Sequence, residues 1–324
     1  MIGGPNLSRA IVTGCAGFIG SNLVDDLLLR GIQVVGIDNL STGKLEFLQS
    51  VKSKSNFEFL NLNLQDADAL PKLFNGADIV FHLAANADVR LGPNHPRRDL
   101  EQNTIVTHNV LEAMRLSQVQ KIVFSSTGSI YGNSGVSPTP EDSPFPIQTS
   151  LYGASKLAGE ALIEAYCESF GFQSWIFRFV SILGPRYSHG HVFDFYQQLK
   201  SNKDRLKVLG NGHQRKSYLH INDCINGMKV AIENTTEKVN IFNLGVDATC
   251  EVRDSIRWIT EKLGVNPEID FGTETRGWIG DNPLIHLSTK KINALGWSPK
   301  FSIQDGVEDT ISFFLENDWL FDAK

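Results

Sequence analysis

The run Ala10-Ile-Val-Thr-Gly14-Cys-Ala-Gly17-Phe-Ile-Gly20 constrains the fold more than any other stretch of the chain. A strand-length apolar segment passes through three glycines spaced three apart and continues into a helical pattern over residues 19–30. Glycines allow the tight turn and let backbone amides approach a ligand closely. The helix start then offers unpaired N–H groups to an anion. A strand, a glycine turn and a helix in that order form a receptor for the pyrophosphate of a dinucleotide. Asp38 closes the next apolar run, residues 33–37. A carboxylate there accepts hydrogen bonds from ribose hydroxyls and repels a 2′-phosphate, which favours NAD over NADP.

The alternation continues beyond the glycine turn. Strands are predicted over residues 10–13, 33–37, 57–60, 79–83, 121–125 and 174–179, and helices over 19–30, 67–74, 99–116 and 152–170. Such alternation predicts a parallel sheet covered on both faces. After Gly184 the elements shorten and Gly and Pro breaks become frequent. The reading is α/β: an NAD-binding domain over residues 1–180 and mainly a smaller substrate domain over 181–324. Within 220–250, a helix over 223–233 and a strand over 240–244 are expected to return to the main sheet.

With 324 residues, 41% of them hydrophobic, the chain can bury one large or two fused cores. A net charge of -6 offers no basic surface for nucleic acid. The apolar runs are strand-length, which argues against a membrane-spanning helix. Residues 1–9 lack a basic region followed by an apolar core, so no signal peptide is expected. Cys15, Cys167, Cys224 and Cys250 are scattered without a CxxC, which suits reduced thiols in the cytoplasm. His189 and His191 lack companion ligands and read as loop residues, so no metal is expected.

Tyr152-Gly-Ala-Ser-Lys156 opens the helix predicted over 152–170. The i,i+4 spacing puts both side chains on one face. A tyrosine serves as a base near neutral pH only when its pKa is lowered, and a neighbouring ammonium favours the phenolate. The strand over 121–125 runs on to Ser126 and Thr127 at the sheet edge where ligands collect. Thr127 is placed to bridge Tyr152 and a substrate oxygen, whereas Ser125 and Ser126 read as strand-end caps. Beside a dinucleotide loop, this set points to redox chemistry at a hydroxyl-bearing carbon.

These motifs, together with His82-Leu-Ala-Ala85, Arg178 and Gly184-Pro-Arg186, resemble the extended short-chain dehydrogenase/reductases. The similarity is greatest to nucleotide-sugar epimerases and dehydratases of the UDP-glucose 4-epimerase-like kind, and it runs from about residue 9 to about residue 315. The resemblance implies a doubly wound, Rossmann-like parallel sheet with a smaller C-terminal α+β substrate domain. It implies Thr127, Tyr152 and Lys156 as the catalytic set. The cofactor would lie against Gly14, Gly17, Phe18, Ile19, Gly20, Asp38, Asn39, Asn63, Leu64, Leu83, Ala84, Ala85, Tyr152 and Lys156. Asn103 would support the loop at residues 83–85. A homodimer is implied through the helices predicted over 99–116 and 152–170, with Val106, Val110 and Ala161 as spare apolar positions.

The implied substrate is a nucleotide-diphosphate sugar, held by Thr127, Ser181, Arg186, Arg215, Lys216 and Arg276. Cationic side chains are the usual partners of a diphosphate, and Arg90 is a further candidate. The chain departs from the family pattern at this end. Ser181 replaces the usual Asn, and Asn63 the usual Asp. Arg215-Lys216-Ser217-Tyr218 stands for Arg-Arg-Asp-Tyr/Phe, and Trp278-Ile279-Gly280-Asp281 for Arg-Pro-Gly-Asp.

Gly128 and Ser129 occupy the positions where family dehydratases carry an acidic pair. Sugar dehydration needs a base for C5 and an acid for the departing hydroxyl. Exchange of configuration at C4 through a 4-keto sugar needs one proton shuttle. The expectation is therefore an NAD-dependent 4-epimerase of a UDP-hexose. A 4,6-dehydratase, with Glu141 or Asp142 bringing the acid, or a reductase is the alternative on the same fold. A non-catalytic NAD-binding regulatory protein is the third reading.

Overall fold

Seven apolar runs pair side by side into one parallel sheet, and their spacing along the chain fixes what covers it. The computed structural model describes residues 7–144, 147–275, 277 and 284–322. The strands are β1 (Arg9–Thr13), β2 (Gln33–Asp38), β3 (Phe57–Asn61), β4 (Ile79–His82), β5 (Lys121–Thr127), β6 (Gln173–Phe179), β7 (Ser181–Leu183), β8 (Arg205–Val208), β9 (Arg215–Lys216), β10 (Tyr218–His220) and β11 (Val239–Leu244). The main sheet has the order β3-β2-β1-β4-β5-β6-β11. The helices between these strands are α1 (Phe18–Leu29), α2 (Leu70–Phe74), α3 (Pro96–Asp99), α4 (Val106–Leu116), α5 (Leu151–Phe170), α6 (His191–Ser201) and α7 (Ile221–Asn234).

Alternate side chains along each strand serve two cores, as the pleat requires. Ala10, Val12, Ile79, Phe81, Trp175 and Phe177 belong to one core, in which Leu23, Val24 and Leu27 of α1 and Cys224 and Met228 of α7 are also buried. Ile11, Val35, Val80, Ile122 and Ile176 belong to the other, with Val110, Leu111, Ile163 and Cys167 of α4 and α5. Burial on both faces is why β1 reads as an unbroken apolar run rather than an alternating one. The strand order reverses between β1 and β4, and this opens the crevice that ligands occupy in such sheets.

The remaining residues build a smaller α+β unit. There β7 pairs with β10, β8 pairs with strand Glu268–Phe271, and β9 lies between Cys250–Glu251 and Leu284–Ile285. Strand β11 leaves this stretch to pair in parallel with β6 at the edge of the main sheet. Among the described residues, no helix is long and apolar enough to cross a membrane.

One predicted helix differs from the observed structure. In place of one regular helix over 99–116, α3 passes through a π-helical turn, Leu100–Ile105, into α4. The wider turn shifts the register, and Asn103 becomes buried within it. Val106 and Val110, expected as spare interface positions, are buried in the chain's own core, whereas Ala161 is exposed. The large apolar side chains left exposed around α4 and α5 are Leu100, Ile105, Leu116, Leu151 and Phe170.

Candidate active site

A cavity of about 780 Å³ runs along the C-terminal edge of the sheet. Its floor depends on glycines. Gly14 has a φ of +72, and a Cβ there would stand 2.7 Å from the Ala84 nitrogen. A Cβ on Gly20 would stand 2.0 Å from the Gly14 carbonyl oxygen. Gly17 is the N-cap of α1, in an extended conformation and with no side-chain cap. The first N–H groups of α1 thus reach the cavity wall formed by Gly17, Phe18, Ile19 and Gly20. Asp38 accepts the N–H of Ala16 at 3.0 Å and of Leu40 at 2.8 Å, and burial raises its pKa. Asn39, Asn63, Leu64, Leu83, Ala84 and Ala85 continue the wall. A long cleft with uncapped amides and a carboxylate beyond them fits a dinucleotide.

The candidate catalytic residues stand at the same sheet edge; Thr127 and Tyr152 line the cavity and Lys156 does not. Ser150 caps α5 by accepting the Gly153 N–H at 3.0 Å, which starts the helix just before Tyr152. Thr127, at the end of β5, accepts the Ser129 N–H at 3.1 Å and hydrogen-bonds the Tyr152 phenol. Burial pushes the phenol up to about 12; the Thr127 hydrogen bond opposes that shift and the Asp99 charge adds to it. Lys156 is buried; its Nζ donates to the Ser125 carbonyl at 2.8 Å and lies 4.8 Å from the Phe124 ring centre. Burial drives Lys156 down to about 7, against the pull of Glu160 and Asp99. The expected lowering of Tyr152 by a lysine ammonium is therefore not what governs the phenol here, because burial dominates both groups.

Ser125 and Ser126 are not strand caps. Ser126 donates its hydroxyl to the Glu160 carboxylate, and Ser125 donates to the His82 carbonyl at 3.4 Å. His82 bridges the hydroxyls of Thr13 at 2.8 Å and Thr107 at 3.0 Å, and burial holds it neutral with a pKa near about 3. Asn103 does not line the cavity. Its Oδ1 accepts the Asn86 N–H at 2.8 Å, and its Nδ2 donates to the Ser155 hydroxyl at 2.9 Å. It joins the loop after β4 to α5.

The cavity is also lined by Ser181, Tyr187, His189, His191, Lys207, Leu209, Gln214 and Lys216. Two candidate substrate ligands stand elsewhere. Arg186 does not line the cavity; it pairs with Asp25 of α1 at 2.7 Å. Arg215 lies exposed on β9, also outside the lining. Arg276 and the run Trp278-Ile279-Gly280-Asp281 lie outside the described residues. Arg90 does line the cavity, but it pairs with Asp88 at 3.0 Å and with Asp194 at 2.9 Å. Asp88, Asp194, Gln198 and Lys207 were not foreseen. They come from a loop, from α6 and from β8, and only tertiary docking brings them together.

Gly128 and Ser129 line the cavity together with Thr127 and Tyr152. The Glu141 carboxylate is turned away, accepting the Asn243 N–H at 2.8 Å, and neither Glu141 nor the exposed Asp142 belongs to the lining. Among the described residues, no group of three or more His, Cys, Asp or Glu is placed to hold a metal ion.

Similarity to known proteins extends over nearly the whole chain. The model of the NAD dependent epimerase/dehydratase family matches residues 10–245. A UDP-glucose 4-epimerase of Mycolicibacterium smegmatis is 32% identical, over 94% of this chain and 98% of that protein. A crystal structure of a UDP-galactose 4-epimerase superposes with a TM-score of 0.86 at 35% identity, covering 96% of this chain and 100% of that one. The UDP-glucuronic acid 4-epimerase of Bacillus cereus, solved with UDP-glucuronic acid and NAD, superposes with a TM-score of 0.87 at 30% identity, covering 95% and 99%. With its glycine turn, Thr127 and Tyr152 lining one cleft and Lys156 buried one helical turn beyond Tyr152, the chain belongs to the NAD dependent epimerase/dehydratase family.

Proposed function

We propose that the protein is an NAD-dependent 4-epimerase of a nucleotide-diphosphate sugar, with a UDP-hexose as substrate. One observation carries this reading over dehydration. Thr127 and Tyr152 share a cleft in which the following residues are Gly128 and Ser129, neither of them an acid. The carboxylates that line the cleft among the described residues are already engaged: Asp38 by backbone amides, Asp88 and Asp194 by Arg90.

Gly14, Gly17, Phe18, Ile19 and Gly20 would hold the cofactor's phosphates, Asp38 and Asn39 a ribose, and Asn63 and Leu64 the adenine side. Leu83, Ala84 and Ala85 would line its path to Tyr152. NAD bound there would supply a reversible hydride acceptor for the sugar's C4, the 4-keto sugar turning over between the two transfers. Tyr152 accepts the proton of the C4 hydroxyl and gives it back, while Thr127 donates into the phenol oxygen. Lys156, fixed on the Ser125 carbonyl, is the nearby cation. Lys216 and Ser181, which line the cavity, would face the diphosphate and sugar. We further propose a homodimer formed by the face that exposes Leu100, Ile105, Leu151 and Phe170, and residence in the cytoplasm, where four free, buried cysteines stay reduced.

The test is incubation with UDP-, GDP-, CDP- and dTDP-hexoses, read by NMR. Interconversion of two C4 epimers of a UDP-hexose without added reductant is expected. Consumption of added NADH or NADPH would favour a reductase. Failure to convert any sugar, with NAD bound, would favour the non-catalytic reading.

A further inference from the structure

Arg90 stands in the cavity between two carboxylates that also line it. Asp88 caps the 3-10 turn Val89–Leu91 by accepting the Arg90 N–H at 3.0 Å. The same carboxylate takes the Arg90 Nε at 3.0 Å and Nη2 at 3.3 Å, which fixes the plane of the guanidinium. The Arg90 Nη1 reaches across the cleft to Asp194 Oδ2, in the first turn of α6, at 2.9 Å. A guanidinium has more N–H donors than these three side-chain contacts use. Among the described residues nothing donates to the other oxygen of Asp194, Oδ1. The Arg90 and Asp194 side chains are 38% and 37% exposed, so these donors and this acceptor are within reach of a ligand.

The turn lies against the start of α5. A Cβ on Gly92 would stand 3.4 Å from Leu151 Cβ, and Leu151 directly precedes Tyr152. Asp88, Val89, Arg90 and Leu91 share the cavity lining with Thr127 and Tyr152. Two carboxylates and one guanidinium leave the cluster with one negative charge in excess. His189 lines the same cavity; burial lowers its pKa, so the ring is neutral at pH 7 and does not cancel that charge. A fixed N–H donor beside a carboxylate oxygen matches two neighbouring hydroxyls, each of which donates and accepts. A ligand carboxylate would meet like charge and a guanidinium already occupied.

We propose that Arg90, with Asp88 and Asp194, is the specificity-determining element for the sugar: it takes the hydroxyls of an uncharged hexose and turns away a hexuronic acid. This rests on the ligand being a nucleotide-diphosphate sugar. Arg90 is then a reader of the sugar and not a diphosphate ligand. Asp194 has two parts in it. One oxygen receives Arg90 from the opposite wall of the cleft, and the other is left as an acceptor for the sugar. Asp88 prepositions the guanidinium from its own turn, so little ordering is left to be done when the ligand arrives.

The test is calorimetry on the NAD-loaded protein with UDP, UDP-glucose and UDP-glucuronic acid. Wild type should bind UDP-glucose roughly tenfold more tightly than UDP-glucuronic acid, the effect of one like charge nearby. Asp194→Asn removes the excess charge, and most of that ratio should disappear. In Arg90→Ala the gain of UDP-glucose over UDP should shrink roughly tenfold, the size of a charge-assisted hydrogen bond. Equal or tighter binding of UDP-glucuronic acid by wild type overturns the proposal. So does an unmoved ratio in Asp194→Asn, or an unmoved gain over UDP in Arg90→Ala. Should Arg90→Ala not fold, the ratios in wild type and Asp194→Asn decide. Any of these contrary results with UDP bound ends this proposal and leaves the nucleotide-sugar reading in place. Absence of binding by UDP and by both sugars ends the two together.

Discussion

Tyr152 sits where burial opposes the charge its proposed role requires, and the Thr127 hydroxyl is the group that offsets this. Replacing Tyr152 by Phe removes only the phenol oxygen. Turnover should fall by about 10²–10⁴-fold, the usual contribution of a positioned acid–base group, with NAD affinity nearly unchanged by calorimetry. Activity within a few-fold of wild type would remove Tyr152 from the mechanism. At this scale the sequence was informative where chemistry is written in local spacing. The glycine turn, Asp38, and the four-residue step from Tyr152 to Lys156 all line or back one cleft. It misled where a side chain's role is set by a distant partner. Arg186 carries the charge a diphosphate wants, but Asp25 on α1 takes it. Ser126 looks like a strand cap, but Glu160 of α5 receives its hydroxyl.

Helix α5 is held in place by a buried ion pair as well as by its apolar face. Glu160 and Arg178 of β6 are each at most 2% exposed, and Arg178 also donates to the Tyr131 hydroxyl and the Glu141 carbonyl, both at 2.8 Å. Arg178→Leu leaves the Glu160 charge buried and unpaired, so it should destabilise the protein by about 3–5 kcal/mol. Glu160→Leu with Arg178→Leu should cost less than either single change. Urea unfolding of the two single variants and the double variant checks this, and a strictly additive double variant would contradict it. The boundaries of α5, of the five strands preceding it and of β6 follow from apolar periodicity and fall within about two residues of the observed ones. The π-turn at Leu100–Ile105 does not. Residues on either side of it keep a helical pattern, and the extra residue in the turn appears only once Asn103 is seen bonded to Asn86 and Ser155.

The molecule as a whole places its cleft between the sheet's C-terminal edge and the smaller unit, with Arg90 linking the loop after β4 to Asp194 of α6. The cleft wall from β8 and α6 had no sequence signature, because short strands and loops dock there without a repeating pattern. Burial also sets the response of the folded chain to acid. His82 and His191 are both pushed down from 6.5 to about 3. Below pH 6.5 the unfolded chain binds protons that the folded one refuses, so stability must fall as pH falls toward 3, by up to ~1.4 kcal/mol per pH unit for each histidine. His191→Phe should flatten that slope when urea unfolding is measured between pH 7 and 4.5, and an unchanged slope would show that His191 is protonated in the fold. The central claim, that this fold exchanges configuration at C4 and eliminates nothing, is tested most directly by turnover of a UDP-hexose in deuterated water with mass and NMR analysis of the product. The account predicts a product of unchanged mass with no deuterium on any sugar carbon, since the C4 hydrogen is returned without exchange. Loss of about 18 mass units, one water removed by general acid–base elimination, or deuterium at C5 would contradict it.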